Sequence, residues 1–240
     1  MNKSFDFYKG KIRLKNGPGC YKITEDPLWL LGVLPLDKSS YLEVGCATGV
    51  LSLILRLKNS TAKIKAIDIQ KEMIKQAREH AVENEILDID FQLQDLYSLP
   101  EDEKFDCVFS NPPFFDNEKC ELIQDNIKNL AYLQDDISSY VKKLLKLVKA
   151  EGSVCFVGHC SIRDTILYEL KNKVCLKEIK LISSINKPAK RFIYIVENNE
   201  EKTFESFSLE SFNQEVRNDI LFLYNSISNN YLKKIDLDYL

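Results

Sequence analysis

No stretch of this chain is apolar for long enough to cross a bilayer, and its first ten residues, MNKSFDFYKG, lack the apolar core of a signal peptide. Those two absences set the expectation of a cytoplasmic protein with no membrane contact. Histidine is held to two residues, His80 and His159, which read as a surface-helix and a strand-end histidine. The seven cysteines, Cys20, Cys46, Cys107, Cys120, Cys155, Cys160 and Cys175, include no CxxC pair. Ligand spacing for a metal centre is therefore missing, and none is expected. The odd count in mostly apolar surroundings fits buried reduced thiols rather than a disulfide framework. No repeat is visible, and no linker cuts the 240 residues into two independent domains.

An excess of positive charge is also missing: the formal net charge is −3, which argues against a protein that coats nucleic acid. The distribution is uneven, however. Lys3, Lys9, Lys11, Arg13, Lys15 and Lys22 face only Asp6 in the first 24 residues, a local excess of +5. Further basic clusters run from Lys142 to Lys149 and over Lys187, Lys190 and Arg191. Such patches either hold phosphate backbones or solvate element faces.

What is present after residue 38 is alternation of short apolar runs with helical periods. Strands are expected at 40–45, 62–69, 88–95, 105–110 and 153–158, with helices at 49–57, 71–84 and 136–150, the last stopping at Gly152. Two final strands, 175–183 and 191–198, are joined by a tight turn at Asn186-Lys187-Pro188. Repeated βα units imply a parallel α/β sheet with helices on both faces, and the tight connection implies one antiparallel strand. The expected organisation is a basic lead-in over 1–38, a Rossmann-like domain over 39–200, and a helical extension of that domain over 201–240, with one helix near 212–227.

The ligand edge of such a sheet lies at the carboxyl ends of its strands. There the first turn reads LEVGCATG (42–49): an acid, Glu43, then Gly45 at +2 and Gly49 at +6, which is not the dinucleotide GxGxxG spacing. Glycines let backbone approach a ligand, and the following helix N-terminus adds a positive field. Asp68 ends the second strand, nineteen residues after Gly49, where a carboxylate can meet ribose hydroxyls. Asp95 ends the third, where an adenine amino group can be read.

The fourth strand ends in FSNPPFFD (109–116). Proline cannot continue a central strand, so Pro112 and Pro113 stop it at the ligand edge. The Asn111 side-chain oxygen and the Pro112 carbonyl can each accept one hydrogen of an exocyclic –NH₂ group, and Phe114 can stack on a base. Two such acceptors pull a delocalised nitrogen towards tetrahedral geometry and aim its lone pair, which is catalysis by positioning rather than by acid–base transfer.

Together these motifs resemble the class I S-adenosylmethionine-dependent methyltransferases with an Asn-Pro-Pro-aromatic signature, over roughly residues 11–200. Within that class the chain is most similar to the bacterial enzymes that methylate N6 of adenosine 37 in valine tRNA, whose lead-in is matched by Tyr21, Lys22 and Asp26. The resemblance implies S-adenosyl-L-methionine as cofactor and tRNA or another structured RNA as partner, with the protein acting as a monomer. It implies that Glu43, Gly45, Ala47 and Gly49 line the methionine part of the cofactor. Asp68 with Ile69 would hold the ribose, Asp95 with Leu96 would read the adenine, and Asp26 would close over cofactor or target. Asn111, Pro112, Pro113 and Phe114 would hold the target amine. The chain departs from the family at Ala47, where a middle glycine is usual, and in lacking an arginine-rich stretch after the signature. Ribosomal guanine N2 and release-factor glutamine-amide enzymes share the chemistry but carry additional recognition domains. A non-catalytic RNA-binding protein on a decayed methyltransferase fold is the alternative of another class.

Overall fold

The computed structural model describes residues 3–8, 10–16, 24–112, 137–171, 173–184, 186–197 and 202–210. The chain opens with an antiparallel hairpin, β1 (Lys3–Phe7) and β2 (Ile12–Asn16). Then follow α1 (Glu25–Val33), β3 (Ser40–Val44), α2 (Val50–Lys58), β4 (Lys63–Asp68), α3 (Lys71–Glu83), β5 (Ile89–Leu93) and β6 (Phe105–Ser110). The remaining elements are α4 (Ile137–Leu147), β7 (Val148–His159), α5 (Arg163–Leu170), β8 (Cys175–Ile182), β9 (Arg191–Glu197) and β10 (Phe204–Glu210).

Eight strands form one sheet in the order β10-β8-β9-β7-β6-β3-β4-β5. All neighbours run parallel except β9, which is antiparallel to both β7 and β8. The expected mostly parallel sheet with one antiparallel strand is therefore what forms. Its central strands β3, β6 and β7 carry near-continuous buried runs because both faces are covered there. One face packs on α1, α2 and α3 through Trp29, Leu30, Leu53, Ile54 and Ala77, with Ile12 and Leu14 of β2 joining that layer. The other packs on α4 and α5 through Tyr140, Val141, Leu144, Ile166 and Leu170. Strand order reverses between β3 and β6, so the crevice at the carboxyl ends of those two strands is the topological switch point.

Several expectations are corrected. The helix before β7 does not stop at Gly152: it ends at Leu147, and β7 runs straight through the glycine. The register against β6 jumps from Phe105↔Val148 to Cys107↔Ser153, a bulge that accommodates the extra residues. A Cβ on Gly152 would lie 2.7 Å from the Asp106 carbonyl oxygen and 2.5 Å from Val148 Cγ2. The glycine thus serves close backbone approach, not a helix cap. α5 was not expected at all. β10 occupies part of the segment read as a helical extension and pairs parallel to β8, while the helix expected near 212–227 lies outside the described residues. Cys46, Cys107, Cys155 and Cys175 are buried free thiols and Cys160 is an exposed one; Cys20 and Cys120 lie outside the described residues. Among the described residues no helix is long and apolar enough to cross a membrane.

The lysines between 142 and 149, on α4 and at the start of β7, are engaged with partners within the protein. Lys142 pairs with Glu169 (3.3 Å), Lys146 with Glu101 (2.9 Å) and Lys149 with Asp106 (2.9 Å), while buried Lys143 donates to the Leu99 carbonyl (2.7 Å). Exposed pairs of this kind contribute little to stability, but they leave the patch poorly suited to phosphate.

Gly152→Ala should destabilise the fold by about 1–3 kcal/mol through overpacking at the bulge. The urea midpoint measures it, and an unchanged midpoint would show that β7 relaxes around the methyl group.

Candidate active site

At the switch point lies an open cleft. Pro27 of α1, residues 45–48 of the turn, Val50 and Leu51 of α2, and Asn111 beyond β6 line it, with Glu43 at its base. The turn is held by a dense set of backbone bonds. Gly45 and Cys46 both donate N–H to the Ile67 carbonyl (2.9 Å each), and Gly49 donates to the Cys46 carbonyl (2.8 Å).

Three turn residues have left-handed backbone: Gly45 (φ +73°), Ala47 (φ +46°) and Gly49 (φ +77°). Their roles differ. A Cβ at Gly49 would sit 2.7 Å from the Phe91 ring and 2.9 Å from Ala77, so glycine is required for packing of α2 on β5 and α3. A Cβ at Gly45 would meet no protein atom within 4 Å. The space above Gly45 is a cradle that a ligand can enter and a side chain would fill. Ala47 tolerates a conformation that costs an L-residue roughly 1–2 kcal/mol because its N–H donates to Asp68 Oδ2 (2.8 Å).

Asp68 is accordingly a brace. Its other oxygen accepts from Gln70 N–H (2.8 Å), and only 6% of the residue is exposed. Burial raises its pKa against the opposing pull of those N–H donors. Ile69, next to it, is half exposed. Asp95 is exposed and caps the following 3-10 turn, accepting from Tyr97 N–H (3.3 Å). Leu96, expected beside the cofactor, instead points into the α4–α5 layer and is 5% exposed, because the turn it starts folds inward. Leu93 and Tyr97 take the exposed apolar positions near the tips of β4 and β5.

Asp26 stands in the first turn of α1 and pairs with Arg191 Nε (3.1 Å), so Pro27 rather than Asp26 lines the cleft. Asn111 lines it from β6, and its Oδ1 is buried with no hydrogen-bond partner among the described residues. Pro112 is buried beside it; Pro113 and Phe114 lie outside the described residues. An orphaned buried acceptor costs about 1–3 kcal/mol, which a donating ligand recovers.

Four participants escaped the sequence reading. Ser110 donates to the Val44 carbonyl (2.8 Å) and bonds the buried Tyr140 hydroxyl (2.5 Å), tying β6 to β3 immediately before Asn111. Tyr140 looked like one more apolar position on an amphipathic helix. His80 is not a surface residue: it is 3% exposed, with Nδ1 3.1 Å from the Thr48 carbonyl. Ser52 hydrogen-bonds the Glu43 carboxyl. Among the described residues no three His, Cys, Asp or Glu side chains could hold a metal ion.

A family model described as a methyltransferase domain matches residues 36–217. The tRNA1(Val) (adenine(37)-N6)-methyltransferase of Phocaeicola vulgatus is 36% identical over 127 residues, 52% of this chain and 51% of its own length. The release factor glutamine methyltransferase of Fusobacterium nucleatum is 27% identical over 141 residues, 54% of this chain and 40% of its own. The chain thus spans about half the length of these curated relatives. A predicted O-methyltransferase of Agrobacterium tumefaciens superposes with TM-score 0.61 at 13% identity, over 83% of this chain and 96% of that one. The 16S rRNA N2 methyltransferase of Thermus thermophilus, solved with AdoMet and guanosine, does so with TM-score 0.57 at 16% identity, over 82% and 50%. These likenesses speak for the fold.

Burial pushes the Glu43 carboxyl from near 4.5 up to about 8, against the Ser52 bonds that lower it. Its folded pKa exceeds the unfolded one, so its contribution is full below about 4.5 and is lost as pH rises through about 8. Wild-type stability should therefore fall across that window, and Glu43→Gln should flatten the profile. Denaturation midpoints measured from pH 5 to 9 on both proteins check it; parallel profiles would remove Glu43 as the source.

Proposed function

The chain belongs to the methyltransferase-domain family and takes S-adenosyl-L-methionine as its methyl donor; from that premise we propose that it methylates an exocyclic amino group, with N6 of an adenosine in tRNA as the target. The observation that carries the proposal is the orphaned Asn111 Oδ1, buried on the same cleft as the open cradle at Gly45. S-adenosylmethionine, when bound, supplies an electrophilic methyl group on a sulfonium. The chain's own residues do the rest. Gly45 leaves room for the cofactor, and the braced turn holds its backbone ready. Asp68 with Ile69 would hold the ribose, and Asp95 would read the adenine. Asn111 Oδ1 and the Pro112 carbonyl hold the two amine hydrogens and direct the nitrogen lone pair into the cleft. The amine needs no base before attack, because its proton is lost only once the nitrogen carries positive charge. Phe114, which lies outside the described residues, is assigned by the resemblance to stack on the extruded base.

An RNA substrate is supported by the tRNA-modifying relatives and by exposed basic residues. Lys11 and Arg13 lie on the N-terminal hairpin, and Lys187 and Lys190 lie in the β8–β9 turn at the ligand edge of the sheet. The release-factor relative supports a second reading, methylation of a protein amide by the same Asn111 geometry.

Gly45→Ala adds a methyl group to the open space and strains a backbone at φ +73°, and should lower S-adenosylmethionine affinity roughly tenfold or more by overfilling the cradle and disturbing the turn. Calorimetry reads this directly, and undiminished affinity would move the cofactor away from Gly45. Asn111→Ala should slow single-turnover methyl transfer to unmodified tRNA by about 10²–10³ while cofactor affinity holds within a few-fold. Asn111→Asp, which keeps the acceptor, should retain more activity than alanine. A full-speed Asn111→Ala enzyme would end the assignment. Nucleoside mass spectrometry of the product decides the target: N6-methyladenosine is expected, and methyl groups found only on protein would favour the second reading.

A further inference from the structure

The N-terminal hairpin packs beside α3, and α3 packs behind the glycine turn. One face of the C-terminal half of α3 is given over to the hairpin. Glu79 pairs with Lys15 Nζ (2.6 Å) and Glu83 accepts from the Ser4 hydroxyl (2.8 Å). Asn84 accepts the Arg13 backbone N–H (2.6 Å) and returns a bond from Nδ2 to the Arg13 carbonyl (2.8 Å). The spacing 79, 80, 83, 84 keeps these side chains on one helical face. His80 is the member of this set that also reaches the cleft. Its Nε2 accepts the Lys15 backbone N–H at 3.1 Å, and its Nδ1 lies 3.1 Å from the Thr48 carbonyl. A backbone amide can only donate and a carbonyl can only accept, so the two partners fix a neutral ring with its proton on Nδ1.

The Thr48–Gly49 peptide is thereby pinned on both sides. His80 holds its oxygen, and the Cys46 carbonyl receives its N–H at 2.8 Å. This peptide joins Ala47 and Gly49, at φ +46° and +77°, through Thr48. Left-handed residues persist only where the surroundings over-determine them. Releasing the Thr48 carbonyl loosens the part of the turn that lines the cleft.

We propose that His80 is a positioning residue that couples docking of the N-terminal hairpin to the shape of the cofactor turn, so that a docked hairpin raises S-adenosylmethionine affinity and bound cofactor tightens the hairpin. Reciprocity follows from linkage: whatever free energy one event lends the other is returned. The inference rests on the placement of the cofactor at Gly45, and it adds a determinant of cofactor affinity that touches neither cofactor nor substrate.

The test is a double-mutant cycle with cofactor affinity as readout. Asn84→Ala loosens the hairpin from a position outside the cleft. His80→Gln sets its amide oxygen at the Nε2 position, keeping an acceptor for Lys15 N–H while losing the Thr48 arm. His80→Gln should weaken S-adenosylmethionine binding about fivefold, and Asn84→Ala should weaken it about threefold in the wild-type background and not at all in His80→Gln. Additive effects, or an unchanged affinity in Asn84→Ala, overturn the coupling. His80→Asn, which keeps the Thr48 arm and drops the Lys15 arm, should bind cofactor more tightly than His80→Gln; the reverse order overturns the assignment of the two arms. Hydrogen exchange on the wild-type protein needs no variant to fold: the Lys15 amide should exchange more slowly with saturating cofactor, and equal exchange with and without cofactor overturns the coupling. Failure of wild type to bind S-adenosylmethionine would instead strike the cofactor reading itself, so the two failures are distinct.

Discussion

The hydrogen bond from Ala47 N–H to the Asp68 carboxylate, 2.8 Å long, is the interaction on which the cleft depends. It joins the turn after β3 to the tip of β4. Without it the left-handed alanine has nothing to offset its backbone cost. The Asp68 backbone continues the lattice, since its carbonyl accepts from Gln94 N–H at 3.0 Å and so fixes the tip of β5 as well. Three neighbouring strand ends are thus set by one buried residue. A carboxylate is suited to this because it accepts from Ala47 and Gln70 at once and strengthens both bonds with its charge. Its desolvation is the cost, and its charge, after burial itself, helps raise the pKa of Glu43, a second buried carboxyl close by, so that the neighbour is held protonated.

On the other side of the switch point the constraint is steric and polar rather than ionic. Ser110 ties the tip of β6 both to β3 and to Tyr140 of α4. Asn111 therefore emerges from a strand end held from two directions, with its side-chain oxygen unsatisfied among the described residues. A rigid support under one unsatisfied acceptor is what preorganised hydrogen bonding requires, because the group costs nothing further to orient when its partner arrives.

Much of this was legible in the sequence. The βα alternation gave the parallel sheet, the turn glycines and Asp68 fell at strand ends as expected, and β6 ended where proline forbade it to continue. What was hidden was tertiary. Gly152 follows an amphipathic run and looks like a helix stop, yet it answers to the Asp106 carbonyl on the adjacent strand. α5 is eight residues with Tyr168 exposed, too short for a helical period to stand out. β10, FESFSLE, alternates weakly and follows a polar stretch. His80 carries no local sign of burial, because the groups that bury and bind it come from β2 and from the turn before α2. Leu96 misled for a related reason: position after a strand-end acid says that a residue is near the ligand edge, but the sense of the following turn decides which way it faces.

The single reversed strand, β9, has a consequence of another kind. Because it runs against its neighbours, the β8–β9 connection returns to the ligand edge instead of crossing the far side of the sheet, and Arg191 begins β9 beside His159. The two halves of the ligand edge are therefore held in different ways. Loops on the β3–β5 side are bound to the glycine turn by hydrogen bonds and can change little. The β8–β9 connection is a hairpin tip with exposed lysines, tied back chiefly by Cys160 N–H to the Lys190 carbonyl (3.0 Å). Insertions there would lengthen or reshape the ligand edge while leaving every brace of the glycine turn untouched.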